Sequence, residues 1–353
     1  MSNRIYKLKL TALTPVHIGT GEDFEPTNYV IDKNEKGEDR LYEFDEFEFF
    51  AALDEQKKRE FESIVSNSSP SSRFRLYEFV SQNKSIAKKI AFRNIQVLKE
   101  VANDYYKKIG KAVQKEGGGK NVFNDFKIAK CYTTPNFNLS VLLGSSLKGS
   151  ISTAYQEMLF KKLGDYKKVE DLMLKPNDRN VFKNFIISDA NPVKQGTFIG
   201  YAVNKKRNKE PKAGSENLQP ILQAVAATSE FQTEVICKSG LDFKEIAKSC
   251  NEHYIPLFKS QFDYSTDEYT RKALSSEFVQ KYEKWTPAQN QFLLKVGKHS
   301  GARAVTVDGI RNIKIMTGKG RQPRYDTEET TVWLRGGGAT LVPFGWVLCE
   351  ILD

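Results

Sequence analysis

Strand-like alternation occurs in this chain only in short, widely separated stretches, with long helix-patterned segments between them. In residues 5–13, Tyr6, Leu8, Leu10 and Ala12 face one way and Lys7, Lys9 and Thr11 the other, the pattern of a half-buried strand. Residues 231–238 repeat it, with Phe231, Thr233, Val235 and Cys237 set against Gln232, Glu234 and Ile236. Residues 181–188, 197–203, 330–334 and 346–352 read as further strands, and 131–141 as extended chain. Between them, residues 44–65 carry Phe47, Phe50, Ala51, Phe61, Ile64 and Val65 at helical spacing. Residues 73–114, 147–163 and most of 242–295 also read as helix, with a flexible break at 116–120. Short strands interleaved with long insertions predict an α+β fold with two small sheets rather than one large parallel sheet. No internal repeat is visible at periods of about 20–50 residues.

The 353 residues suffice for two domains. The boundary is expected between residues 175 and 240 and is placed at 200/201, giving an N-terminal unit 1–200 with a helical insertion near 44–115 and a C-terminal unit 201–353 with one near 242–295. No run approaches the roughly 18 apolar residues of a membrane span, and the first residues lack a signal-peptide core, so a soluble protein without membrane contact is expected. The four cysteines, Cys131, Cys237, Cys250 and Cys349, stand far apart without a C-x-x-C pair, as reduced cytoplasmic thiols do. Only His17, His253 and His299 exist, which excludes a His-rich metal centre. Asp23 and Asp32 flank the first glycine loop and read as exposed carboxylates; neither metal nor cofactor is expected. A formal charge of +10 and a 12% aromatic share point to a polyanionic partner, nucleic acid above all.

The first strand ends in Thr14-Pro15-Val16-His17-Ile18-Gly19-Thr20-Gly21, a loop bounded by chain breakers. Gly144-Ser145-Ser146-Leu147-Lys148-Gly149-Ser150 opens a helix; its Lys precedes the second Gly, so it fails the phosphate-loop pattern of nucleotide hydrolases. A Ser helix cap and an anion site made of free N–H groups, hydroxyls and Lys148 both fit it. Gly297-Lys298-His299-Ser300-Gly301 lets backbone approach a ligand closely. Lys205, Lys206 and Arg207 belong to a basic turn at 204–209, a pattern that usually marks a solvated surface. Arg311, Lys314, Lys319, Arg321 and Arg324 make the C-terminal region basic, which suits phosphate contacts without sequence readout. No Gly-x-Ser-x-Gly elbow and no His-Glu-x-x-His occurs.

Taken in order, these pieces resemble the RAMP superfamily of CRISPR effector proteins. The 13–21 segment is similar to that family's opening loop, 143–150 to its Gly-Ser-Ser-Leu-Lys-Gly helix start, 182–189 to the strand that follows, 294–301 to its late glycine-rich loop and 345–348 to its closing strand. Within the superfamily the match is to the fifth-subunit branch of type III-A (Csm) complexes. The resemblance implies two RRM-like, ferredoxin-type modules with glycine-rich loops and helical insertions. It also implies a non-catalytic subunit that binds and caps the 3′ portion of the CRISPR RNA, supports its maturation and contacts the backbone subunit (subunit three) and the small helical subunit (subunit two). Target RNA and accessory host nucleases are further implied partners. Carried onto this chain, the RNA-binding set is His17, Gly19 and Gly21; Ser145, Ser146, Lys148, Gly149 and Ser150; Gly297, Lys298, His299, Ser300 and Gly301; and, more distantly, Lys205, Lys206 and Arg207. A RAMP-type ribonuclease that trims CRISPR RNA is the competing reading. An enzyme acting on a phosphorylated small molecule rests on the helix-start anion site alone.

Overall fold

The first strand, Arg4–Ala12, sits inside an antiparallel sheet made from both halves of the chain. The computed structural model describes residues 4–67, 70–111, 114–115, 121–122, 125–134, 138–175, 180–207, 219–238, 240–316, 322–336 and 341–352. The break expected at 116–120, Pro135, Lys209, Lys319, Arg321, Gly337 and Gly338 lie outside them. Sheet order runs Asn191–Lys194, Glu230–Cys237, Arg4–Ala12, Trp346–Leu352, Gln291–Lys295, with Phe185–Ile187 also on Glu230–Cys237. The predicted alternations hold: Leu8, Leu10, Ala12, Phe231 and Val235 are buried, while Lys9 and Glu230 pair on the opposite face at 2.9 Å. Helices Gly144–Leu163 and Phe243–Ser260 lie against one another and share a core with this sheet through Ile151, Ala154, Ile246, Cys250 and Leu294.

A second, nine-stranded mixed sheet is ordered Gly19–Phe24, Ile128–Cys131, Ile221–Val225, Thr197–Lys206, Arg93–Val97, Asp39–Glu43, Tyr29–Lys33. Thr331–Gly336 pairs with Thr197–Lys206, and Val342–Pro343 with Thr331–Gly336. Tyr29, Leu41, Tyr105 and Phe126 fill one core against it. Phe44, Phe49, Ile64 and Phe79 fill another among the helices Glu46–Ala52, Glu55–Val65, Pro70–Gln82 and Lys84–Ile90.

The mixed α and β content matches the expected class, but the division at 200/201 does not follow the sheets. Both draw strands from either side of residue 200, because the closing strand returns to pair with the first. The helical insertions are also less uniform than expected. The first contains the strand Arg93–Val97, whose Ile95 and Val97 alternate with exposed Asn94 and Gln96 over too few residues to outweigh Lys-rich neighbours. The span 242–295 ends in Gln291–Lys295, whose unbroken Phe292-Leu293-Leu294 run fits a buried strand and a buried helix equally. Residues 44–65 form two helices, the second capped by Asp54 accepting from the Lys57 N–H. The breaker-bounded loop after the first strand leads into three more strands, and Asp32, in the second of these, accepts from Lys84 at 2.8 Å and Lys88 at 2.9 Å.

The chain passes between the two sheets repeatedly at one seam. There Ala12 N–H donates to Ser229, Thr228 to Ala12, Val225 to Val16, Leu13 to Trp346 and Gly345 to Pro15. All four cysteines are buried free thiols, and among the described residues no helix is long and apolar enough to cross a membrane.

Candidate nucleic-acid interface

The two glycine-bearing loops at opposite ends of the sequence meet at this seam. Lys298 N–H donates to the His17 carbonyl at 2.9 Å. Gly297 has φ +84°, and a Cβ there would stand 2.4 Å from the His17 oxygen, so glycine is required twice over. Gly345 N–H donates to Pro15 and Val296 N–H to Gly345, both at 2.8 Å, which fixes the second loop beneath the first. The rings of His17 and His299 lie 6.5 Å apart. Lys298, Gly19, Thr20 and Gly21 face solvent on the outside of this junction.

The helix start reaches the same place by one bond. Ser150 Oγ donates to the Lys295 carbonyl at 2.9 Å, tying the helix to the strand that runs into the 297–301 loop. At its first residue, Gly144 N–H is taken by Asp189 Oδ1 at 2.6 Å, and a Gly144 Cβ would meet the Ile187 carbonyl at 2.6 Å. The anion-site reading of this helix start is thus already met by a carboxylate of the chain. Ser145 and Gly149 are exposed and Ser146 is half-buried.

Several predicted contact residues turn inward. His17 is 1% exposed, with Nδ1 2.7 Å from the Gln223 carbonyl and 3.5 Å from Cys131 Sγ. Burial and the Lys298 charge keep its pKa below the ordinary imidazole value although the Gln223 carbonyl pulls the other way. His299, at φ +72°, lays its ring 4.4 Å from Trp333, and burial first, then His17 and Lys298, bring its pKa down to about 4. It is therefore neutral at pH 7 and offers phosphate no charge. Lys148 turns its ammonium onto the Phe185 carbonyl over the Phe182 ring, and burial lowers its pKa. Ser150 and Ser300 are buried, Ser300 Oγ donating to Gly297 at 2.7 Å. Arg207 is buried on Asp267, with a further bond to Glu328 at 3.0 Å, because its strand ends against the helix Tyr264–Ala273. Lys206 is exposed and Lys205 half-buried on the same strand.

Arg207 lines a small pocket behind the second loop together with Lys295, Ser300, Arg303, Asp267 and Glu329. Burial lowers the Lys295 pKa to about 8. All four predicted clusters thus converge on the end of the strand Gln291–Lys295. The loop backbones, Lys298, Ser145, Gly149 and Lys206 keep an outward face.

Two solvent-facing groups were absent from the predicted set. Tyr132 is 39% exposed, and its N–H donates to the Ile18 carbonyl beside Gly19. Arg335 lies where the strand Thr331–Gly336 reaches the seam. Alternation of Lys130 and Tyr132 around buried Cys131 was the signal for the first; nothing in the linear sequence marked the second.

The RAMP superfamily model matches residues 9–299, most of the chain. The chain belongs to the RAMP superfamily. Superfamily membership covers both glycine-bearing loops as far as His299 and the helix start between them. No curated protein sequence matches the chain. Among solved structures, a chain of a type III-A Csm–crRNA–target RNA ternary complex is similar over 98% of this chain and 100% of that one, at 15% identity and a TM-score of 0.60. The crystal structure of T. onnurineus Csm5 is similar over 98% of this chain and 100% of that one, at 14% identity and a TM-score of 0.57. At these identities the likeness is one of fold.

Proposed function

We propose that this chain is a non-catalytic RNA-binding subunit of a type III-A CRISPR ribonucleoprotein, acting in the cytoplasm in antiviral defence. It binds and caps the 3′ portion of the CRISPR RNA, supports its maturation and docks on the backbone subunit (subunit three) and the small helical subunit (subunit two). We also read the six-stranded sheet as an RRM-like module. Its strands Arg4–Ala12, Asn191–Lys194, Glu230–Cys237 and Gln291–Lys295 alternate with helices Gly144–Leu163 and Phe243–Ser260 in the order β-α-β-β-α-β. The nine-stranded sheet is then the second module.

The observation that carries the reading is the junction of the two glycine-bearing loops, around which backbone, Lys298 and Tyr132 are exposed. Backbone N–H groups, a cation and an exposed ring suit a ribose-phosphate strand held without base readout. The net charge of +10 favours the same partner. Burial of His17 against the Gln223 carbonyl supports a non-catalytic role, since its ring is fixed as part of the core.

The test is binding of labelled single-stranded RNA by the purified protein across a salt series. Lys298→Glu is expected to weaken binding and flatten the salt dependence by about one phosphate contact. Equal affinity for RNA in wild type and Lys298→Glu would place the strand elsewhere. Shortening of a labelled precursor by the protein alone, lost in His17→Ala, would make it a ribonuclease instead.

A further inference from the structure

Between the seam and the helix Ser276–Tyr282 lies an open cavity of about 450 Å³. Its lining joins the first loop, at Thr14 and Pro15, to aromatic side chains from both sheets' surroundings, Phe198, Phe278 and Tyr282. The cations facing it are Arg335 and Lys281, and one carboxylate, Glu277, accompanies them. Ligand cavities of this kind run from about 300 to 1,000 Å³ and combine apolar walls with a few converging polar groups.

The Arg335 Nε is buried and, among the described residues, has no hydrogen-bond partner. No carboxylate forms an ion pair with Arg335 among the described residues, and its guanidinium stands 6.0 Å from the Phe198 ring. Burial lowers its pKa, so the protein holds this cation in a place that penalises charge. Buried donors are almost always satisfied, and an orphaned one is costly. An anion or carbonyl entering beside the aromatic wall would supply an acceptor. Lys281 is exposed at the rim, where it meets an approaching phosphate first.

We propose that this cavity seats one unstacked nucleotide of the bound RNA, with its base against the aromatic wall and its phosphate on Arg335 and Lys281. The inference rests on the RNA-binding reading above and deepens it by naming a nucleotide site. Arginine planes and aromatic rings accept any base face, so the site grips a strand without selecting sequence. Its placement beside Thr14 and Pro15 puts it next to the glycine-loop junction.

The experiment uses the full chain and single-stranded RNA carrying 4-thiouridine at successive positions, cross-linked and mapped by mass spectrometry, alongside affinities of three variants. Cross-links to peptides holding Phe198, Phe278 or Tyr282 are expected from one nucleotide position. Arg335→Leu is expected to weaken binding about tenfold or more, and Arg335→Lys by less, in line with the loss of one stacked or bonded base. Lys281→Glu, at an exposed position, gives the same direction should Arg335→Leu fold poorly. Wild-type RNA affinity in folded Arg335→Leu and in Lys281→Glu, with cross-links confined to other peptides, overturns the site and leaves the RNA-binding reading intact. Failure of the unaltered chain to bind RNA overturns both. Displacement of a bound acidic peptide but not of RNA would assign the cavity to a protein partner and overturn the proposal.

Discussion

Two arginines near the second glycine-bearing loop have opposite surroundings. Arg207 lies behind the loop beside a small pocket and is met by Asp267, Glu328 and the Glu329 carbonyl. Arg335 lies on the strand paired with the one that Arg207 follows, lines a larger open cavity, and forms no ion pair among the described residues. Arg207 is 4% exposed and ion-paired to Asp267, whereas Arg335 is half-buried and, among the described residues, has Glu100 only at a distance and no ion pair. A buried cation whose partners come from the chain serves the fold. A half-buried cation on a cavity wall with no ion pair of its own is open to a partner that arrives later. The contrast separates the interior of the seam from its face, and it is open to direct attack.

The largest effect is expected on the closed side. Asp267→Ala leaves Arg207, 4% exposed, without its main counter-charge. Removing one partner of a buried pair costs about 3–5 kcal/mol, so chemical denaturation should show a loss of that size. A loss under about 1 kcal/mol, the worth of an exposed pair, would mean that water reaches Arg207 and that the two arginines do not differ as described. Next comes the junction itself. Gly297→Ala forces a side chain into left-handed backbone, about 1–2 kcal/mol from handedness alone, and drives its Cβ toward the His17 carbonyl. Thermal melting should fall by several degrees, and RNA affinity should fall with it if the joined loops form the binding face. Normal RNA affinity in a destabilised Gly297→Ala would detach the function from the junction.

A smaller effect comes from pH. His299 titrates near 4 in the folded chain because burial disfavours its charged form, against about 6.5 when unfolded. The unfolded state therefore binds the extra proton first. The stabilisation is fully present above about pH 6.5 and is lost as pH falls toward 4, on the order of 2–3 kcal/mol over that window. His299→Asn, a residue tolerant of the left-handed region, should flatten the stability profile between those values. An unchanged profile would place the titrating group elsewhere and leave His299 solvated on the face.

The first sheet and the two glycine-bearing loops were more legible in the sequence than the charges between them. Leu8, Leu10 and Ala12, and Phe231 and Val235, alternate against polar neighbours, so one-sided burial could be read directly. The strand Gly19–Phe24 could not, since most of its residues stay exposed, nor Arg93–Val97, whose alternation spans only five residues among Lys-rich neighbours. Arg207 reads as part of a solvated run because its partner Asp267 lies 60 positions away. Lys148 likewise reads as a phosphate ligand until the Phe185 carbonyl comes into reach across the fold. Glycines and hydrophobic period report local geometry, whereas the direction a cation faces depends on which strands become neighbours.

The smallest expected effect tests the open side of the comparison most closely. Arg335→Leu removes a charge that burial disfavours and a donor, Nε, that has no acceptor among the described residues. Leucine adds apolar surface beside Phe198 and Val342, which already line the cavity. Replacing an unsatisfied buried polar group by an apolar one is close to neutral or stabilising, so the unfolding free energy should stay within about 0.5 kcal/mol of wild type, as at sites free of a stabilising feature. That small change beside a large loss in Asp267→Ala is what distinguishes a cation held for a ligand from one held for the fold. If Arg335→Leu costs as much stability as Asp267→Ala, Arg335 has a structural partner, and the open cavity loses the argument for a nucleotide within it.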